Sequence, residues 1–174
     1  MYCLIAAESA IFTIFVVAYV FYLGKSLSGP KPADVLHPPV LFTLCLLSSS
    51  ITAYLAERNV SEGKIGTFKL WWLLTVALGA AFLFGTAREW RHLILNEGLT
   101  ISTNLFGTTY YSLVGLHAFH VTAGLIALII VLLIALNGDI GREHAGRVAV
   151  LSLYWHFVDA VWIVVFTIVY VIGV

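Results

Sequence analysis

Five long apolar segments constrain the fold of this chain more than any other feature. They lie at about residues 2–23, 40–56, 70–92, 105–136 and 148–172, and short polar loops separate them. A run of about 20 apolar residues is long enough to cross a bilayer as a helix. Strands exposed to lipid are excluded, because lipid cannot satisfy their unpaired backbone groups. The pattern predicts an all-α polytopic membrane protein, a bundle of five transmembrane helices in one domain over residues 1–174.

Composition agrees with an integral membrane protein and excludes other classes. The chain is 61% hydrophobic and 10% charged, with a formal net charge of 0, so no nucleic-acid partner is expected. Cys3 and Cys45 lie in apolar segments without metal-spaced neighbours, and we interpret them as reduced packing residues. The first segment lacks the features of a removable signal peptide, so we expect it to be the first permanent span.

The last segment begins with the unusual sequence YWHFVDAVW at residues 154–162. His156 and Asp159 are three residues apart, so they share one face of a helix. An ionisable pair inside a membrane helix costs a few kcal/mol unless it faces protein or water. The pair is either a structural contact that fixes helix packing or a proton or ligand site. We expect both side chains to face the fourth segment, near His117 and His120, and to serve packing first.

The fourth segment carries its own polar stripe. Tyr110, His117, His120 and Gly124 lie on one helix face, and the small residue at the end of the stripe indicates a close helix contact. With His156, the two histidines offer three imidazoles, which can in principle bind a metal or haem. However, the usual zinc spacing with a neighbouring glutamate is missing, and only one helix supplies two histidines. We therefore expect hydrogen-bonding histidines, and neither metal nor cofactor bound by this chain.

Two further polar features lie at Glu8 and at the end of the third segment. Glu8 is the one charged residue of the first segment. Either desolvation keeps this carboxyl protonated and it hydrogen-bonds a neighbouring helix, or it is a proton-active or lipid-facing group. The second feature is a cluster at a membrane edge, either a solvated anchor or a site for a phospholipid headgroup, formed by Arg88, Glu89, Arg91 and His92.

Taken together in chain order, these motifs resemble subunit III of the haem-copper terminal oxidases. The strongest match is YWHFVDAVW at 154–162. The other four are AESAIF at 7–12, LSSSIT at 47–52, Phe82-Leu83 followed by Glu89-Trp90, and Phe106-Gly107 followed by Gly115, His117, His120 and Val121. Ala118 stands where the family's double-histidine motif usually has glycine. The chain resembles a five-helix short form, since the common long form has two more helices before the residue matching Glu8.

The resemblance implies a non-catalytic subunit of a proton-pumping oxidase that reduces O₂ in aerobic respiration. Haem and copper are then expected in partner subunits. This chain is expected to contact and stabilise subunit I, to bind phospholipid and to support proton uptake, with Glu8 beside subunit I. The electron donor is expected to be cytochrome c. In the long form of the family, lipid binds in a cleft between the first two helices and the other five. Such a cleft would form here only if another subunit supplied the two missing helices.

Three alternatives remain open at this point. The same motifs also fit subunit III of a quinol oxidase and a related accessory protein of a nitric oxide reductase. The third alternative is an independent membrane metalloenzyme or transporter. Lysine and arginine are slightly more frequent in the second and fourth loops. This bias predicts an N-terminus inside and a C-terminus outside a bacterial plasma membrane.

Overall fold

A computed structural model describes residues 1–26, 29–30, 32–36 and 38–173, and at residues 33 and 34 the backbone alone. Every regular element in these ranges is helical: α1 Tyr2–Tyr22, α2 Pro32–Val35, α3 Val40–Ser61, α4 Ile65–Leu95, α5 Leu105–Asn137, a 3₁₀ turn Arg142–His144, α6 Ala145–Phe166 and a π-helical segment Thr167–Ile172. Within these ranges, five helical stretches are long and apolar enough to cross a membrane, and the last of them runs from Arg142 to Ile172. The predicted all-α class with five spans is confirmed.

Local sequence explains where the helices begin and end. α3 starts directly after Pro38 and Pro39, since proline lacks the amide hydrogen that a helix interior needs. At the start of α5, the side-chain oxygen of Asn104 accepts a hydrogen bond from the amide of Gly107 at 2.8 Å, which is a helix N-cap. α3 continues to Ser61, past the end of its apolar segment, because its backbone hydrogen bonds do not depend on apolar side chains. The sequence did not predict the short helix α2.

The turn between α3 and α4 carries a compact charged group. Glu62 accepts hydrogen bonds from Lys64 Nζ at 2.6 Å and from Arg58 Nε at 3.0 Å. Lys64 and then Arg58 hold the pKa of the Glu62 carboxyl below its ordinary value, so it remains ionised at neutral pH. Gly63 has a φ of 77°, which glycine adopts without strain. A charged turn of this kind is stable in water, in agreement with a membrane edge between the second and third spans.

The helices contribute to two compact units. Unit 1 comprises Met1–Pro39, Gly85–Phe119 and Ala160–Val174, and unit 2 comprises Val40–Phe84 and His120–Asp159. In unit 1, the core includes large side chains that are at most 1% exposed, among them Tyr19, Tyr110, Leu113, Trp162 and Val165. The single domain expected over residues 1–174 stays a prediction.

In unit 2, Trp155 on α6 occupies the centre of the packing. Its indole N–H donates to Ser49 Oγ at 2.8 Å, and the side chain is completely buried. A Cβ atom on Gly79 would lie 2.9 Å from the indole ring, and one on Gly124 would lie 3.0 Å from it. Glycine at these two positions lets α4 and α5 approach the indole closely. The close helix contact expected at Gly124 is therefore confirmed.

Two hydrogen bonds add polar connections between the same helices. The hydroxyls of Thr52 on α3 and Thr75 on α4 are 2.7 Å apart. The indole N–H of Trp72 on α4 donates to the carbonyl of Leu128 on α5 at 2.9 Å. In an apolar medium such bonds favour one packing arrangement, because a misplaced helix would leave its polar groups unpaired. Unit 2 is thus held by close packing and by side-chain hydrogen bonds, and the candidate site lies in this unit.

Candidate functional site

Four polar side chains of α3 and α6 form a connected group in unit 2, which we call the Ser50 cluster: Ser50, Ser152, His156 and Asp159. The Ser50 hydroxyl donates a hydrogen bond to Asp159 Oδ2. The Ser50 hydroxyl oxygen also lies 3.0 Å from His156 Nδ1. The other ring nitrogen of His156 lies 3.3 Å from the hydroxyl of Ser152, one helical turn earlier. The face shared by His156 and Asp159 is thus directed at one hydroxyl on the neighbouring helix.

The donors and acceptors of the Ser50 cluster assign the histidine tautomer. Ser50 has one hydroxyl proton, and this proton is donated to Asp159. Its oxygen must therefore accept the hydrogen of His156 Nδ1, which leaves Nε2 as an acceptor for the Ser152 hydroxyl. The bonds run in one direction, from Ser152 through His156 and Ser50 to the carboxyl of Asp159. Such a chain reinforces itself, because each bond polarises the next.

This arrangement suits packing or proton transfer and not nucleophilic catalysis. In a catalytic triad, histidine takes the serine proton and the carboxyl group orients the histidine. Here Ser50 lies between the two and donates its proton to Asp159. Asp159 is 3% exposed, and its Oδ1 has no hydrogen-bond partner among the described residues. The carboxyl group therefore depends on Ser50 for the hydrogen bond that offsets its burial.

The expected position of the α6 pair needs a correction. We expected His156 and Asp159 to face the fourth span near His117 and His120, but their shared hydrogen-bond partner lies on α3, the second span. On α5, the His120 carbonyl accepts a bond from the Tyr154 hydroxyl at 3.4 Å. The prediction was wrong because it matched histidines with histidines. A serine hydroxyl both donates and accepts, so it suits a carboxyl group and an imidazole together.

His117 belongs to unit 1 and is enclosed by aromatic rings. It is completely buried and stacks on Trp162, with ring centroids 4.8 Å apart, and Phe12 approaches it at 6.4 Å. Among the residues that the structure describes, no three His, Cys, Asp or Glu side chains form a group that could hold a metal ion.

The cluster at the end of α4 divides into an inward part and an exposed part. Glu89 Oε1 accepts hydrogen bonds from Tyr170 at 2.7 Å and from Tyr110 at 3.3 Å, and both tyrosines are buried. Tyr170 lies on the π-helical segment, a type of element that occurs frequently at functional sites. The remaining members are exposed: Arg88, Arg91 and His92. Glu89 is therefore a tyrosine partner in unit 1, and only the exposed side chains present the positive charge that suits a phosphate.

Glu8 lies half-buried on α1, the most exposed of the five spans. Leu4 and Ile11, within one turn of it, are 46% and 40% exposed. This helix therefore leaves much apolar surface around Glu8 open to lipid or to a partner helix. The proton-related role of Glu8 stays a prediction.

Sequence reasoning missed the residues that organise these clusters. Ser50 was included only as part of the LSSSIT motif at 47–52, and Ser152 and Tyr170 were not singled out. The available signal was the match between one span carrying an acid and a histidine and another span carrying successive hydroxyls. Hydrocarbon excludes water as a partner, so these polar groups have to find each other.

Comparison with known proteins gives a consistent result. The family model of cytochrome c oxidase subunit III matches residues 4–174. The chain is 35% identical to cytochrome c oxidase subunit 3 of Alkalihalophilus pseudofirmus, over 98% of this chain and 84% of that protein. It is 30% identical to the protein of the same name in Bacillus subtilis, over 97% and 83% of the two chains. It is also 34% identical to cytochrome bo(3) ubiquinol oxidase subunit 3 of Pseudomonas aeruginosa, over 95% and 80%.

Proposed function

Because this chain belongs to the cytochrome c oxidase subunit III family and is part of a multi-subunit haem-copper oxidase, we propose that it is a non-catalytic subunit that stabilises subunit I. The observation that carries the proposal is the Ser50 cluster. Its hydroxyls, imidazole and carboxyl group bond to one another and link α3 to α6. Such a network stabilises a helix arrangement without a substrate. Haem and copper are expected in the partner subunits.

The proposal is tested by extracting the chain gently with an affinity tag and identifying what accompanies it. We expect the other oxidase subunits, visible haem bands and O₂ consumption with reduced cytochrome c. The 34% identity to a ubiquinol oxidase subunit makes a quinol the second candidate donor, and the same preparation decides between them. Co-purification with a nitric oxide reductase, or extraction of the chain without any haem protein, would contradict the proposal.

A phospholipid site at the end of α4 is a second part of the proposal. Arg88, Arg91 and His92 are exposed beside one another at this end of the helix. Guanidinium groups bind phosphate oxygens through paired, charge-assisted hydrogen bonds. We assign the headgroup contact to these three residues and not to Glu89. We also propose that the chain lies in a bacterial plasma membrane with its N-terminus inside.

Glu8 is the residue proposed to assist proton uptake by subunit I. The Glu8→Gln variant keeps a similar shape and hydrogen-bonding capacity but cannot titrate. We expect oxidase turnover by the variant to fall several-fold at high pH, where protons are scarce, and to match the parent at low pH. The measurement is the pH profile of O₂ consumption by the intact complex.

The matched control for this prediction is Ser9→Ala, next to Glu8 on the same exposed helix. Its hydroxyl bonds the carbonyl of Ile5 within α1, so its loss should leave the pH profile unchanged. If Glu8→Gln assembles and its profile follows the parent at every pH, the proton role is rejected and only a structural role remains.

A further inference from the structure

A cavity of about 290 Å³ lies in unit 1 at the end of α1. The last turn of α1, the following Gly24 and Ser26, the start of α5 and Gly173 form its walls. Its volume is close to the lower limit for small-molecule pockets, so it would hold the polar end of a ligand and leave a longer tail outside. None of the residues assigned above to phosphate binding or proton uptake lines it.

One polar group in this cavity has no protein partner. Tyr19 is 1% exposed, and its hydroxyl makes no hydrogen bond to any described residue. A methyl group on Gly173, another lining residue, would lie 2.8 Å from the hydroxyl oxygen. Tyr19 and Gly173 both line the cavity, so the hydroxyl lies close to it. A buried hydroxyl without a partner costs free energy, and a ligand that accepts a hydrogen bond from it would remove this cost.

A second hydroxyl in the cavity offers a proton as well. Ser26 accepts the amide hydrogen of Phe106 at 3.1 Å, which uses one lone pair of its oxygen and leaves its proton available to a ligand. With Gly107 bonded to Asn104, two amides at the start of α5 are already satisfied. The cavity therefore presents hydroxyl donors, and this helix end does not require an anion.

The described residues that line the cavity favour an uncharged ligand. None of the described lining residues is charged. The nearest cation in sequence, Lys25, lies over the ring of Phe21, with Nζ 3.4 Å from the ring centroid. Aromatic and aliphatic surfaces from Tyr22, Leu23 and Phe106 complete the lining. A ligand must thus combine an uncharged acceptor with an apolar body.

We propose that this cavity binds an uncharged carbonyl group of a membrane amphiphile, with Tyr19 and Ser26 as hydrogen-bond donors. The cavity lies where α1 reaches the end of its span, and ester carbonyls of lipids occupy this depth of a bilayer. The ring carbonyl of a quinone has the same chemistry. Ester lipid and quinone are therefore the two possible sources of the carbonyl.

The test uses the intact oxidase complex in nanodiscs of ether-linked phosphatidylcholine, which has no ester carbonyl. Decylubiquinone is added in one arm, and ester-linked phosphatidylcholine of equal chain length in the other. Native mass spectrometry then measures which ligand stays with this chain when it is released from the complex. We expect concentration-dependent retention in one arm, and that arm identifies the source of the carbonyl.

Two variants show whether retention occurs at this cavity. Tyr19→Phe should weaken retention about tenfold, as expected for the loss of one buried hydrogen bond, and Ser26→Ala should weaken it by a similar factor. Tyr54→Phe is the control, since Tyr54 is 57% exposed and lies in unit 2. Retention in neither arm, or retention that Tyr19→Phe and Ser26→Ala leave unchanged, would overturn the proposal.

Discussion

Replacing Trp155 with alanine is expected to lower the free energy of unfolding of the chain by about 3–5 kcal/mol, the loss typical of a buried tryptophan. The indole is completely buried, and it fills the space that Gly79 and Gly124 leave free. The change also removes the hydrogen bond to Ser49 and leaves that hydroxyl buried. Unfolding of the purified full chain with SDS, followed by circular dichroism, measures the loss.

Three comparisons make this prediction specific. Phe84→Ala removes an aromatic ring that is 66% exposed, and should cost less than about 1 kcal/mol. Gly79→Ala places a methyl group 2.9 Å from the indole and should destabilise, whereas Gly66→Ala, with open space around its Cβ position, should be neutral or slightly stabilising. Equal costs for Trp155→Ala and Phe84→Ala would show that the indole does not organise this packing.

Replacing Ser50 with alanine is expected to cost about 2 kcal/mol and to reduce retention of this chain in the oxidase complex. Ser50 supplies the hydrogen bond to Asp159 and accepts the one from His156. Its loss leaves a buried carboxyl group and an imidazole nitrogen without these partners. The ratio of this chain to haem in the extracted complex measures retention, and turnover per assembled complex should change much less.

Ser48→Ala is the matched control, because Ser48 belongs to the same serine run but is exposed. It should retain the stability and the chain-to-haem ratio of the parent. Asp159→Ala should resemble Ser50→Ala, since each removes one end of the same bond. A Ser50→Ala variant that assembles fully but loses turnover would assign the cluster to proton transfer instead of packing.

The spans were predictable from sequence because hydrocarbon imposes a minimum length on apolar segments. α5 begins at Leu105 and ends at Asn137, within one residue of the segment predicted from hydropathy. The end of α3 was less accessible to prediction. Glu57 and Arg58 mark the limit of the apolar medium, but the helix continues through them to Ser61. Hydropathy thus predicts which residues lie within the membrane, but it does not predict the last residue of the helix.

The residues of the site were predictable, but their pairing was not. His156 and Asp159 were recognised because ionisable groups are costly in a membrane helix. Their partner depends on which helices are neighbours in space, and periodicity along one helix carries no information about that. Glu89 shows the same limit. Its sequence neighbours Arg88 and Arg91 suggested a solvated cluster, while its hydrogen bonds go to Tyr110 and Tyr170, far along the chain.

The most direct test of the central claim is the visible spectrum of this chain before and after separation from the oxidase complex. We expect haem bands in the gently extracted complex, and neither a Soret band nor stoichiometric metal in the purified chain, with its helical circular dichroism retained. The haem bands should remain with the other subunits. A Soret band that stays with the purified chain would contradict the account of a subunit that carries no redox centre.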